Sequence, residues 1–290
     1  MKLAIVIATF NRFEYLKELL IQINELIVPA DVKINIIIVI DNSDYHFSDI
    51  DKICRYKTTV VKGTGNWWWT KSMNEGFKKA IILKQEYVLI LNDDVAIEKN
   101  YLMILLNDYI KLPVNAILGS ASVSIKTPHR IESAGTKKFI KWRLKFVPYF
   151  KGFQILTERF IGVHESWTLS GRGTLIPITI FCDIGLYDEK LVQYGSDDEY
   201  IVRAKTKKIP VYISWNAKIY NNTFLTSKGS AFKKEGILVL LRSFFDKYSV
   251  NSLYKNAYLY LKYSYKPLLP VYLLFAILGT IKAYYYNYKK

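Results

Sequence analysis

The stretch Tyr87-Val88-Leu89-Ile90-Leu91-Asn92-Asp93-Asp94 joins an apolar run to an amide and two consecutive carboxylates. An unbroken apolar run of this kind reads as a strand buried on both faces, as in a parallel sheet covered by helices. Its acids then stand at the carboxyl end of the strand, where open α/β sheets bind ligands. A second acidic cluster, Ser196-Asp197-Asp198-Glu199, opens a helical pattern, where carboxylates complement the helix dipole.

Outward from this strand the chain alternates. Residues 3–8, 34–40, 58–61 and 116–123 read as further strands, and apolar periodicity marks helices over 13–26, 70–83 and 100–112. Repeated strand–helix units predict an α/β fold with a mostly parallel central sheet flanked by helices. The second half is less regular. Residues 137–153, rich in Lys and aromatics, suit a hairpin or flap, and 167–176 read as a strand interrupted by Gly171 and Gly173. Short helices are expected over 177–184 and 197–205, and short strands over 211–214 and 217–220. Past a composition change near Asn222 the pattern is helical and Tyr-rich, so the chain divides into residues 1–222 and a helical extension, 223–290.

A hydrophobic content of 51% over 290 residues is ample for a core and excludes wholesale disorder. Cys54 and Cys182, far apart and in apolar surroundings, read as reduced core thiols of a cytosolic protein. The start, Met1-Lys2-Leu3-Ala4, runs straight into a strand and lacks the pattern of a signal peptide. Net charge is +16, of which the segment from Lys228 onward holds +9, from eleven Lys or Arg against Glu235 and Asp246. Nucleic acid and an anionic membrane surface are the partners such a basic face suits. Residues 267–281 carry no charge, a segment shorter than the roughly 20 residues needed to span a bilayer. Lysines flank it, and Tyr284, Tyr285, Tyr286 and Tyr288 supply rings suited to the headgroup layer. An interfacial helix is expected, with a helix packed on the domain or at a dimer interface as the alternative.

Several polar motifs are candidates for chemistry. Thr9-Phe10-Asn11-Arg12 lies between a strand and a helix, where N–H donors can receive a nucleotide or where Thr and Asn simply cap. Asp41-Asn42-Ser43 ends a strand; its acid suits a ribose or base edge, or a turn. Gly65-Asn66-Trp67-Trp68-Trp69-Thr70 holds three of the six tryptophans, which suit either stacking on a sugar or core packing. Asn74 and Gly76 in the following helix suggest close backbone approach. Asp93 and Asp94 suit a hard cation, Mn²⁺ or Mg²⁺, shared with phosphate oxygens, or else a solvated loop. In Ser170-Gly171-Arg172-Gly173-Thr174 the Arg can fork onto a phosphate or pair with an acidic neighbour. His46, His129 and His164 have no metal-ligand spacing, and no Gly-rich phosphate loop or Gly-x-Ser-x-Gly elbow is present.

In order and spacing these motifs resemble the family 2 glycosyltransferases, inverting enzymes of type A fold, in their bacterial polysaccharide form. The resemblance covers roughly residues 2–222 and includes Gly185-Leu186-Tyr187-Asp188-Glu189 and Asp197-Asp198-Glu199-Tyr200 with Arg203. It implies that Thr9, Asn11, Arg12, Asp41, Asn66, Asn74 and Asp93 serve the donor nucleotide, and that Asp94 binds Mn²⁺ or Mg²⁺. Asn221 stands where many members carry a metal-binding His, and Ser196 where many carry an acid. Trp69, Gly171, Arg172, Asp198 and Glu199 map to the acceptor and sugar side, and Asp197 to the catalytic base. A UDP- or dTDP-sugar donor is implied, with rhamnosyl, galactofuranosyl or hexosyl transfer to a glycan hydroxyl on a lipid-linked precursor. The enzyme would work as a peripheral protein on the cytoplasmic face of the membrane, held by the basic extension and without nucleic acid; a homodimer is compatible with this reading. A sugar-phosphate nucleotidyltransferase would instead need a Gly-rich basic loop after the first strand. A non-catalytic basic membrane-binding module leaves Asp94 and Asp197 unexplained.

Overall fold

The computed structural model describes residues 1–41, 48–125, 127, 130–150, 159–221 and 230–288. Asn42, Ser43, His46, His129 and the boundary expected at 222/223 lie outside these residues. In chain order the elements of the first half are β1 (Lys2–Thr9), α1 (Phe13–Asn24), β2 (Lys33–Ile40), α2 (Ser48–Ile53), β3 (Lys57–Lys62), α3 (Trp68–Ile82), β4 (Tyr87–Asn92), β5 (Val95–Ile97), α4 (Tyr101–Tyr109) and β6 (Ile117–Ser124). There follow β7 (Ile131–Ser133), β8 (Thr136–Ile140), β9 (Lys145–Pro148), β10 (Val163–Glu165), β11 (Thr174–Pro177), α5 (Ile178–Ile184), α6 (Ser196–Thr206) and β12 (Val211–Asn221). The extension forms α7 (Ser230–Phe245), α8 (Leu253–Tyr263) and α9 (Leu269–Tyr288).

The main sheet has the order β10-β12-β6-β11-β4-β1-β2-β3, with β5 on β12 and β7 on β6. Strands β3, β2, β1 and β4 run parallel, as do β6 and β12, and β11 enters antiparallel between β4 and β6. The unbroken apolar runs follow from two-sided burial. Leu3, Ile5, Ile7, Leu89 and Leu91 pack with α1 and α4, whereas Ala4, Val6, Ile37, Val88 and Ile90 face α3, α5 and α6. The register sets Ala8 beside Asn92 and Thr9 beside Ile40, which gathers the carboxyl ends of β1, β2 and β4 at one edge.

Four sequence expectations change. Within 167–176 only the last residues pair, because Gly173 takes a positive φ of 68° where the chain joins β4. The two short strands expected over 211–220 are one strand, β12, carrying a bulge between Ser214 and Lys218. Buried Asp108 holds that bulge, accepting from Ser214 Oγ at 2.7 Å and Asn216 Nδ2 at 2.9 Å. Cys54 is buried, but Cys182 is exposed on α5, and both thiols are free. Finally, α9 runs on past the uncharged segment; together with the 3-10 turn Lys266–Leu268 before it, the 20 residues from Lys266 to Tyr285 are long and apolar enough to cross a membrane by length and composition.

The extension folds back on the sheet domain. Lys262 reaches Asp188 at 2.7 Å and Glu199 at 3.0 Å, and Trp68 stacks on Tyr248 with centroids 4.0 Å apart. Its own small core joins Leu240, Phe244 and Tyr284.

Gly76 marks the tightest helix–sheet contact, since a Cβ there would lie 2.4 Å from Val6 Cγ1 and 3.2 Å from Val39 Cγ2. Gly76→Ala should therefore destabilise the fold by about 1–3 kcal/mol, despite the better helix propensity of Ala. Urea denaturation reads this, and a stabilised variant would refute the packing account.

Candidate active site

The donor-side candidates begin at the end of β1. Thr9 Oγ1 donates to Asp93 Oδ2 at 2.8 Å, and the Arg12 guanidinium reaches Asp93 Oδ1 at 3.5 Å and Asp94 Oδ2 at 3.2 Å. Asn11 makes the intervening turn with a φ of 52°. Both carboxylates are buried. Burial pushes the Asp93 carboxyl up to about 6; neighbouring Asp94 adds to the rise, while Thr9 and Arg12 oppose it.

Unmet hydrogen bonds single out part of this region. Asn92 Oδ1, Asp94 Oδ1, Asn221 Oδ1 and Arg172 Nη1 are buried without a hydrogen-bond partner among the described residues. Such groups are uncommon in folded proteins and suit a ligand. Asn221 ends β12 opposite Val95, one residue beyond Asp94. Its Nδ2 donates to Glu132 Oε2 at 2.7 Å, which leaves the amide oxygen as the unused atom. A carboxylate and amide oxygens fit a hard divalent cation that keeps other oxygen ligands. Among the described residues no group of three or more His, Cys, Asp or Glu forms a self-sufficient metal cluster.

The acceptor-side candidates converge on one loop. The Gly171 N–H donates to Asp197 Oδ2 at 3.1 Å, and a Cβ on Gly171 would lie 2.9 Å from the Trp69 ring. Two residues on, the Gly173 N–H donates to the Ile90 carbonyl at 2.7 Å. The loop thus ties the helix bearing Asp197 to β4, which leads directly into Asp93 and Asp94. Arg172, between the two glycines, bonds Ser170 Oγ through Nε at 3.1 Å. Asp197 sits half-buried in the first turn of α6 with Asp198 beside it.

A family model for glycosyl transferase family 2 matches residues 4–168. The chain belongs to glycosyl transferase family 2. Among solved structures, GalNAc-T7 with UDP, GalNAc and Mn²⁺ superposes with a TM-score of 0.61 at 15% identity, covering 89% of this chain and 50% of that one. TarS 1-349 of S. aureus in complex with UDP-GlcNAc gives 0.59 at 17% identity, over 94% of this chain and 70% of that one. TarS 1-349 without a named ligand gives 0.56 at 15%, over 100% and 90%. These likenesses show the type A fold; the chain spans half the length of GalNAc-T7. No curated protein sequence matches it.

Within this glycosyltransferase, some motif residues are committed to the fold. Asp41 accepts backbone N–H groups of Gly65, Trp67 and Trp68, so its carboxylate caps the turn into α3. Asn66 is exposed on that turn. Asn74, expected at the nucleotide, is buried and bonds the Tyr187 backbone in both directions, at 2.9 and 3.0 Å, and Glu189 at 3.0 Å. Glu199, expected on the acceptor side, is instead fully buried among Arg203, Lys262 and Tyr263. Ser196 bonds Thr70 Oγ1 at 2.9 Å, which explains a hydroxyl where an acid is common. His164 stacks on Trp215 at 3.6 Å. Sequence reading missed Glu132, in a three-residue strand with no motif of its own, as well as Lys262 and Tyr263, which lie in the extension.

A carboxyl raised in the folded state favours folding when protonated. Its contribution is full below the unfolded value, 3.8, and is lost as pH rises through about 6. Relative to Asp93→Asn, the metal-free wild type should lose about 3 kcal/mol of stability between roughly pH 4 and 7. Denaturant melts in EDTA across that range check this; a constant difference would mean that Asp93 stays ionised throughout.

Proposed function

We propose that the chain transfers a sugar, with inversion, from a UDP- or dTDP-sugar to a glycan hydroxyl, the acceptor being carried on a lipid-linked polysaccharide precursor. The observation that carries this is the Ser170–Gly173 loop, which holds Asp197 on one side and the end of β4 on the other, beside four buried polar atoms without partners. That arrangement supplies a general base and a diphosphate end within one site. The ligands named for the neighbours, UDP with Mn²⁺ in GalNAc-T7 and UDP-GlcNAc in TarS, support a nucleotide-sugar donor and a divalent cation.

Asp197 takes the proton of the acceptor hydroxyl as its oxygen attacks the anomeric carbon. The bond from that carbon to the diphosphate breaks on the opposite face, so inversion needs no enzyme nucleophile. Asp94 and Asn221 would hold Mn²⁺ or Mg²⁺, which when bound offsets charge on the departing diphosphate. Glu132 fixes the Asn221 amide by accepting from Nδ2. Arg12 sets a positive charge beside both acids. Arg172 offers a guanidinium N–H to a phosphate or sugar oxygen.

The extension is read as an interfacial anchor on the cytoplasmic face of the membrane. One face of α9 is partly covered by α7 and α8, through Ile277, Ile281 and Tyr284, so a bilayer crossing by α9 alone would require stripping that contact. An orientation parallel to the surface leaves the contact intact and presents the other face to lipid.

General-base action is worth about 10²- to 10⁴-fold. Asp197→Ala should lower kcat for transfer by that much with the unfolding midpoint little changed. Asp94→Ala should raise the Mn²⁺ concentration needed for UDP or dTDP binding, and the product should have the inverted anomeric configuration. Turnover of Asp197→Ala at the wild-type rate, or a retained anomer, would sink the mechanism.

A further inference from the structure

The β8–β9 hairpin stands outside the main sheet and takes no part in the site. From Thr136 to Pro148 it carries Lys137, Lys138, Lys141, Arg143 and Lys145 and no acid. All five are exposed. Its two strands are held by aromatic packing, with Phe139 stacked on Phe146 at 4.9 Å and 5.8 Å from Trp167. The tip is a 3-10 turn, Lys141–Arg143, followed by Leu144 in a left-handed conformation. Trp142 at this tip is 51% exposed.

The tip is fixed to the end of α8, just before α9. Tyr260 Oη donates to the Trp142 carbonyl at 2.7 Å, and Ser264 Oγ to the Lys141 carbonyl at 2.6 Å. Lys141 Nζ lies 5.6 Å from the Tyr265 ring centroid, and Tyr260 stacks on Tyr272 of α9 at 4.3 Å. Along α9, Val271, Leu274, Phe275 and Leu278 are exposed in one helical stripe. A basic turn with an exposed indole therefore adjoins an exposed aliphatic stripe.

We propose that the hairpin tip is a second lipid-contacting element, forming with the outer stripe of α9 one surface that docks on an anionic bilayer. This rests on reading the extension as a membrane anchor. Charge complementarity selects the occupant: the cations match anionic headgroups, the indole suits the interfacial layer, and the aliphatic stripe suits the acyl boundary. Nucleic acid would satisfy the cations but leave the aliphatic stripe uncovered. A second copy would set this basic surface against itself. The surface also borders the acceptor loop, because the hairpin root bonds Trp167, three residues before Ser170. A glycan acceptor on a lipid carrier would then approach from the side on which Gly171 meets Asp197.

The test is flotation of the full chain with phosphatidylglycerol–phosphatidylcholine vesicles and with phosphatidylcholine alone. Wild type should bind the anionic vesicles preferentially. The double variant Lys141→Glu/Arg143→Glu should weaken that binding by about tenfold or more, with an unchanged melting midpoint. Trp142→Ala should lose part of the tryptophan quenching produced by brominated lipid. If Phe275→Glu/Leu278→Glu releases the protein while both tip changes leave binding and quenching untouched, the hairpin inference fails and the anchor reading stands. If wild type does not bind anionic vesicles, both fail. Salt-sensitive binding to a nucleic-acid homopolymer, lost in the tip variant without any vesicle binding, would overturn the lipid assignment.

Discussion

The active end of this enzyme depends on one antiparallel strand entering a parallel sheet. Because β11 runs against β4, the loop before it arrives at the same edge as the carboxyl ends of β1, β2 and β4. Gly173 makes the entry possible: its φ of 68° suits glycine, and a Cβ would lie 2.8 Å from Ser120 Cβ and 2.9 Å from Tyr101 Oη. Gly171 then comes near enough to Trp69 and Asp197 for its N–H to fix one carboxylate oxygen. Two acidic clusters a hundred residues apart in sequence are joined through these two backbone N–H groups.

Hydrogen-bond satisfaction separates the acids and amides that build the scaffold from those left for a ligand. Asp41, Asn74 and Glu199 are buried, and their polar atoms engage backbone or cationic partners. Asp94 and Asn221 are equally buried but retain an oxygen without a partner. Leaving a buried polar atom unsatisfied costs free energy. Two such oxygens on neighbouring strand ends, one of them held in orientation by Glu132, fit the cation proposed for this site. Imidazole would be a stronger ligand for Mn²⁺ than an amide, so on the proposed reading the metal would be shared with the diphosphate rather than held permanently.

The parallel core was legible because two-sided burial leaves long apolar runs, as in residues 34–40 and 87–91, and because each run ends in polar residues. The positions of the candidate site residues were legible where they follow a strand directly, as Asp93 and Asp94 follow β4. They were less legible where a helix or loop brings distant segments together. Nothing local in the sequence shows that Asp41 accepts from backbone N–H groups of residues 65, 67 and 68. The same holds for Asn74, whose partner is the backbone of Tyr187. The bulge in β12 was invisible because it depends on Asp108, about a hundred residues upstream. The roles of Glu199 and Lys262 were hidden by the apparent boundary near Asn222, which separates in sequence two residues that meet in space.

That last contact bears on how the anchor and the chemistry are related. Glu199 is a fully buried carboxylate on the helix that begins at Ser196, and it is neutralised from two directions, by Arg203 in its own helix and by Lys262 from α8. Removing one cation from a buried ionic group leaves charge that the interior solvates poorly. The Tyr263 hydroxyl completes the same arrangement, and Asp188, in the turn whose neighbour Tyr187 pairs with Asn74, receives both Tyr258 and Lys262. Helix α8 is therefore part of the support for the Asp197 helix rather than a tether attached to it. A force or restraint applied to the extension at a membrane would pass through Lys262 and Tyr263 to the first turns of α6. On the reading proposed above, the extension would constrain the orientation of Asp197 as well as the location of the chain.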